Sequence, residues 1–239
     1  MKKNNTAILL FSRTATAEAA SKPLSLGKRS AESVAAFLVN HAKKLTAKTQ
    51  LPVFFFSEKQ QRGDSFGERF ANAFEEVFAM GFDHVISIGN DCLTVSTSDI
   101  LTAAKSLKTT PLTQSVIPQG GAVLGSTNDG GAYLIGLDKS IFQKNDFQNI
   151  NWQTHSTFSE LVQFVEKQAF IPFFLSEKSD IDNLVDWKKT LQVVSTTIKK
   201  TLLRLFNIGA PIPLARAFLP INDRFLSTSL ALRAPPFYL

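Results

Sequence analysis

Two aspartates stand where chemistry is usually done. Asp91 follows the apolar run Val85-Ile86-Ser87-Ile88 through Gly89 and Asn90, and Asp129 sits in the turn Asn128-Asp129-Gly130-Gly131 between two further apolar runs. A buried strand that stops at a glycine and delivers a carboxylate into a loop is a common source of site residues in open α/β sheets. Two strand-end carboxylates suit a hard divalent cation, since Mg²⁺ takes one or two of them and shares phosphate oxygens with a substrate. Each also has a plainer job, because Asp and Asn bond their own backbone in turns. Cys92 adjoins Asp91 with no histidine near it in sequence and reads as a small buried hydrophobe. As the only cysteine it excludes an intrachain disulfide and a cysteine-based zinc cluster.

A second group is Gln61-Arg62-Gly63-Asp64-Ser65, which leads into Phe66, Phe70, Phe74 and Phe78 at four-residue intervals and ends at Gly81. That is an amphipathic helix closed by glycine. A helix N-terminus after a glycine attracts anions, and Arg62 and Arg69 add charge there. Ser65 with Glu68 equally fits a capping box that needs no ligand. Arg13 and Lys22 follow the first strand and are candidates for the same anion. Yet residues 14–23 contain no glycine to admit a phosphate to the backbone, and the stretch reads as a loop to about Gly27. His41, His84 and His155 have no visible partner, and none is assigned to catalysis.

The elements that must position these groups begin with a strand at Thr6 to Phe11, a helix at Lys28 to Lys48 and a strand at Leu51 to Phe56, a βαβ start. After the central strand, Ser96 to Asp99 caps a helix to about Leu107. Residues 108–121 read as a loop or a short strand, and Ala122 to Thr127 pairs with Ala132 to Leu137 as a hairpin. A helix capped by Thr157 and Glu160 runs to Gln168, and Phe170 to Ser176 is an edge strand on account of Pro172. The acid-rich stretch from Glu177 to Asp186, including Asp180-Ile181-Asp182, reads as a solvated loop.

The net charge of +6 is unevenly placed. Residues 187–239 hold eight Lys and Arg against the single acid Asp223, a balance of +7, and residues 1–186 hold the remaining −1. Two regions follow, a domain at 1–186 and a basic extension at 187–239. A helix at 188–206 carries Leu191, Val194, Ile198, Leu202 and Leu205 on one face. The extension packs on the domain or on a second subunit as a homodimer, or lies peripherally on an anionic membrane. No basic stripe with interleaved aromatics marks the first 186 residues, which argues against a nucleic-acid partner. With no apolar run long enough to span a bilayer, the expected location is the cytoplasm.

The order and spacing of these motifs resemble an uncharacterised bacterial family with a glycosyltransferase-A-like, nucleotide-diphospho-sugar transferase fold, the selenium- or radical-SAM-associated transferase type. The residues that carry the resemblance are Gly63-Asp64-x-x-Gly67-Glu68-Arg69, Ile88-Gly89-x-Asp91-Cys92, Val123-Leu124-Gly125 with Asp129-Gly130-Gly131-x-Tyr133-Leu134-Ile135-Gly136-Leu137, and Ile150-x-Trp152-x-Thr154. The resemblance implies a three-layer α/β/α sandwich with a mostly parallel sheet and a nucleotide or nucleotide-sugar in the cleft over the first strands. It places Mg²⁺ or Mn²⁺ on Asp91 with Asp180 or Asp182 as a second ligand, and turns Asp129, Gly130 and Gly131 toward the sugar or acceptor. Arg13, Gly63, Asp64, Glu68, Arg69 and Trp152 complete the implied binding set. The implied activity is metal-dependent glycosyl or nucleotidyl transfer. Residues 12–29 lack the family's Pro-Gly and Lys-Thr-Arg stretch, and this departure supports a second reading, a non-catalytic binding or scaffold protein that kept the fold.

Overall fold

The computed structural model describes residues 5–21, 28–108, 119–179 and 190–206. Six strands form one sheet in the order β2-β1-β3-β5-β4-β6: β1 (Thr6–Phe11), β2 (Val53–Phe56), β3 (His84–Ile88), β4 (Gln119–Thr127), β5 (Ala132–Asp138) and β6 (Ile171–Lys178). The β1–β2, β1–β3 and β4–β6 pairs are parallel, whereas β5 runs antiparallel to both neighbours. β6 is an edge strand, as Pro172 requires.

Alternation along the central strands splits their side chains between two cores, because successive residues of a strand point to opposite faces. Ala7, Leu9, Val85, Leu124, Ile135 and Leu137 face α3 (Phe66–Ala79), α5 (Lys144–Gln148) and α6 (Thr157–Lys167). Ile8, Leu10, Ile86, Ile88, Val123 and Leu134 face α2 (Lys28–Ala47) and α4 (Thr97–Leu107). The result is a three-layer α/β/α sandwich. The phenylalanine spacing of α3 becomes a ladder in which Phe70 and Phe74 lie 5.1 Å apart and Phe74 is fully buried against Phe147.

The structure corrects the local reading at three places. Residues 15–21, expected as loop, form the helix α1 (Ala15–Ser21): Ala-Thr-Ala-Glu-Ala-Ala-Ser carries no apolar stripe to announce a helix but is rich in the best helix former. The helix expected from 188 is interrupted at Val194 and Ser195, where the Ser195 hydroxyl accepts from the Ile198 amide at 3.4 Å and starts α7 (Thr196–Phe206). Neither Thr157 nor Glu160 caps α6: Thr157 is its first residue, and Ser156 before it makes no side-chain cap bond. The Glu160 carboxylate instead takes bonds from the Asn151 amide at 2.8 Å and the Ser156 hydroxyl at 2.9 Å and ties the preceding loop.

Leu202 of α7 is fully buried against Val34 and Leu38 of α2 and Leu93, all within the compact unit Met1–Phe206. The expected boundary at 186/187 lies outside the described residues. No helix among the described residues is long and apolar enough to cross a membrane.

One ion pair staples the sheet. His84 Nε2 stands 3.1 Å from the Asp138 carboxylate, its register partner across β3 and β5. Burial pushes the Asp138 carboxyl up, but bonds from His84 and Ser140 hold it at about 2, below the ordinary 3.8. A depressed carboxyl stabilises the fold in full above its unfolded value and loses that contribution as pH falls through the folded value. Acid unfolding of the native chain should therefore steepen between about pH 4 and 2. In Asp138→Asn, the urea midpoint should fall less over that same window; an identical pH slope would contradict the pairing.

Candidate functional site

Sheet order decides which loops meet. β1 pairs in parallel with both β2 and β3, with Phe11 opposite Phe56 and Leu10 opposite Ile88, so the C-terminal ends of all three strands share one edge. β5 is antiparallel to β3 with Leu134 opposite Ile88, which brings the start of β5 and the turn before it to the same edge. A cleft of about 770 Å³ opens there. Its wall joins Arg13, Arg69, Asp91, Asp129, Gly131 and Trp152, residues singled out by the sequence from five separate segments.

The same wall contains Glu18, Glu58, Asn90 and His155, which sequence reasoning did not select. Glu58 accepts bonds from the Thr14 amide and hydroxyl, both at 2.7 Å, and so pins the chain after β1 to the chain after β2. Burial pushes its carboxyl up, but the Thr14 bonds and Lys59 bring it below its ordinary value. Glu18 is buried in α1. No apolar stripe in Ala15–Ser21 marks the helix that carries it.

Gly89 leaves room for the first candidate carboxylate: a Cβ built there would stand 2.9 Å from Asp91 Oδ1. Asp129 is held by its own turn, with Oδ1 accepting from the Thr127 hydroxyl at 2.5 Å and the Gly131 amide at 3.0 Å. Burial pushes this carboxyl up, but those bonds and the nearby His155 bring it below the ordinary value, so it is ionised at neutral pH. The turn is clamped from the other side. The Phe158 amide donates to the Gly130 carbonyl at 2.9 Å, and Gly130, at φ +89°, touches the His155 backbone.

Gly63, Asp64, Glu68 and Gly130 do not line the cleft. Glu68 accepts from the Asp64 amide at 2.7 Å and the Ser65 amide at 3.3 Å, while the Ser65 hydroxyl accepts from the Glu68 amide at 3.1 Å. This is the capping-box alternative. Arg69 donates to the Asp64 carbonyl at 2.9 Å and still reaches the cleft. Trp152 is fixed by its ring nitrogen, which donates to the Phe147 carbonyl at 3.0 Å, and by edge contact with Phe70 at 5.1 Å. Asp180 and Asp182 lie outside the described residues.

Two arginines face four carboxylates, Glu18, Glu58, Asp91 and Asp129, leaving the wall formally two charges negative. An anionic ligand would enter such a cleft together with a cation. Among the described residues no cluster of three or more His, Cys, Asp or Glu stands ready to hold a metal. A cation here would draw on Asp91, Asp129 and ligand oxygens, a donor set of hard oxygens that fits Mg²⁺ or Mn²⁺.

The profile of a family described as "Uncharacterized protein conserved in bacteria (DUF2064)" matches residues 25–154, more than half of the chain. No curated protein matches the sequence. Among solved structures, the chain is similar to a protein from Desulfovibrio desulfuricans G20, provisionally assigned as a nucleotide-diphospho-sugar transferase. The two share 19% identity over 84% of this chain and 94% of that one, with a TM-score of 0.68. The chain therefore shares the fold of that protein. Rv0371c from Mycobacterium tuberculosis H37Rv is similar more loosely, at 9% identity over 80% of this chain and all of that one, TM-score 0.46. A CMP:2-keto-3-deoxy-manno-octonic acid synthetase complexed with CTP is looser again, at 9% identity, 77% and 96% coverage and a TM-score of 0.39. Neither bears on function here.

Proposed function

We propose that this chain, which belongs to the DUF2064 family, is a metal-dependent transferase that takes its group from a nucleotide-activated donor. One observation carries the reading: a single cleft at the strand-end edge of a nucleotide-diphospho-sugar transferase fold holds two arginines and two strand-end carboxylates.

In this reading Arg13 and Arg69 hold the donor's phosphate oxygens by charge-assisted bonds. Asp91 and Asp129 would hold Mg²⁺ or Mn²⁺, whose chemistry there would be to neutralise charge on the leaving phosphate. Asp129, ionised and with Oδ1 already engaged by Thr127 and Gly131, would offer the cation its second oxygen. Trp152 and the phenylalanines behind it close one side of the cleft, and the fixed wall aligns donor and acceptor.

A second reading, a binding or scaffold protein without turnover, is favoured by one feature. The Thr14–Glu58 link and α1 occupy the place after β1 where a glycine-rich phosphate loop would lie.

Thermal shift of the purified chain against nucleoside diphosphates and nucleotide sugars, with Mn²⁺ and then with EDTA, tests the first reading. A ligand at about a hundred times its Kd adds roughly 2.7 kcal/mol to stability, or on the order of 5 to 10 °C for a domain of this size. The expected result is such a shift with at least one ligand, abolished by EDTA, together with measurable transfer or hydrolysis. A metal-dependent shift without turnover would favour the scaffold reading, and no shift would overturn nucleotide binding.

A further inference from the structure

We infer that Gln153 reads the sugar of a nucleotide-sugar donor, its carboxamide bonding hydroxyl groups of the unit that the terminal phosphate carries. The inference rests on the nucleotide-donor reading of the cleft and adds to it a substrate class and a residue that no motif supplied. Gln153 is exposed and belongs to the cleft wall. Its backbone is one that its side chain does not favour: φ is +62°, in the left-handed region that suits glycine and asparagine. Two other described residues besides glycine share a positive φ, Gln50 and Ala169. Both stand in the turns that close α2 and α6, where that conformation is ordinary. Gln153 closes no helix, and a residue held in such a conformation beside a cleft has the pattern of a ligand-binding position.

The loop around it is fixed from both sides. The Glu160 carboxylate takes the Asn151 amide and side chain, and the Asn151 carbonyl takes the Thr154 and Thr157 hydroxyls at 2.7 and 2.9 Å. Among the described residues the Gln153 carboxamide makes no hydrogen bond, so these bonds set its backbone and leave its side chain available. Before it, Trp152 packs against Phe66 and Phe70 at the start of α3, the helix that carries Arg69. After it, the His155 backbone touches Gly130, next to Asp129. Gln153 thus lies, uncharged, between an arginine and a carboxylate of the cleft. Asp129 serves the leaving phosphate in the reading above, so a side chain beside its turn lies beside what that phosphate carries. A carboxamide offers one acceptor oxygen and two donor hydrogens, the complement of sugar hydroxyls that both donate and accept. Trp152 adds the flat apolar wall common to ligand pockets.

The test measures Kd with Mn²⁺ for UDP-glucose, UDP-N-acetylglucosamine, GDP-mannose and ADP-glucose and for the parent UDP, GDP and ADP. It uses the native chain, Gln153→Gly and Gln153→Ala, with the ligand-free Tm of each. The native chain is expected to bind at least one nucleotide sugar more tightly than its parent diphosphate. Both variants should bind that nucleotide sugar about tenfold more weakly and the diphosphate within about twofold of the native Kd. The ligand-free Tm of Gln153→Gly should stand at or above the native value, because glycine relieves the left-handed backbone. Alanine keeps that backbone demand and glycine lifts it, so a loss common to both belongs to the carboxamide. Native affinity for the nucleotide sugar in either variant overturns the assignment, as does a lowered ligand-free Tm in Gln153→Gly, because the residue then serves the loop. A diphosphate weakened as much as its sugar conjugate also overturns it, since the carboxamide then meets the nucleotide. So does a native chain that binds a diphosphate and gains nothing from the sugar, and the nucleotide reading survives each of these results. No binding of any of these ligands by the native chain overturns the nucleotide reading and this assignment with it.

Discussion

Asp91→Asn is expected to lower transfer by roughly a hundredfold to ten-thousandfold, the range that several kcal/mol of lost charge stabilisation at a leaving phosphate represents. The substitution keeps the side chain's shape and removes its charge. Asp91 stands beyond the end of β3, half-buried in the cleft wall and outside the regular pairing of the sheet. Its replacement should therefore leave the ligand-free Tm within about 2 °C of the native value, as for a substitution away from core, cap and strain. The diagnostic is the coupling of two losses. The Mn²⁺-dependent part of the nucleotide thermal shift should disappear along with turnover, while any metal-independent shift from Arg13 and Arg69 survives. Turnover unchanged in this variant would show that the carboxylate after β3 does not hold the metal.

The layers of the sandwich were legible because their signals are local. β1 is a six-residue apolar run with exactly the bounds read from the sequence, and the Phe spacing of α3 together with Ser65 and Glu68 announces both the buried face and the cap. Ser96 and Asp99 did the same for α4. The cleft was legible only in part. Asp91 and Asp129 stood out as carboxylates at strand ends, but Glu58 joins them through the neighbour order β2-β1-β3-β5, and His155 through the packing of the Gly130 turn on the chain before α6, neither of which a local pattern encodes. Glu68 marks the opposite limit. Its type and spacing fitted an anion site and a capping box equally, and only the bonds from Asp64 and Ser65 distinguish them. Gly63 is similar: a Cβ there would stand 2.7 Å from the Glu68 Cβ, so the glycine serves the approach of the chain to α3. The spacing of Leu191, Val194, Ile198 and Leu202 marked an apolar face, yet not that Leu202 would be buried against α2.

Gly130→Ala should be among the most destabilising single-methyl changes in the molecule, and Gly81→Ala is the control that explains why. Both glycines have left-handed φ, +89° and +93°, so alanine pays a similar conformational penalty at each, about 1 to 2 kcal/mol. Their surroundings differ. Nothing lies within 4 Å of a Cβ at Gly81, whereas at Gly130 the new atom would sit 2.1 Å from the His155 carbonyl oxygen and 2.8 Å from its Cα. Those neighbours are backbone and cannot rotate away. The turn or the start of α6 must shift, weakening the Phe158-to-Gly130 bond and the Asp129 bonds to Thr127 and Gly131. A total loss of about 3 to 5 kcal/mol is expected for Gly130→Ala, a fall in Tm of roughly 6 to 20 °C, against about 2 to 8 °C for Gly81→Ala. The site should register the difference as well. Displacing Asp129 from His155 should reduce the metal-dependent nucleotide shift in Gly130→Ala and leave it intact in Gly81→Ala. Equal losses of stability in the two variants would mean that the turn does not press on His155, and that the acidic end of the cleft is not held by this contact.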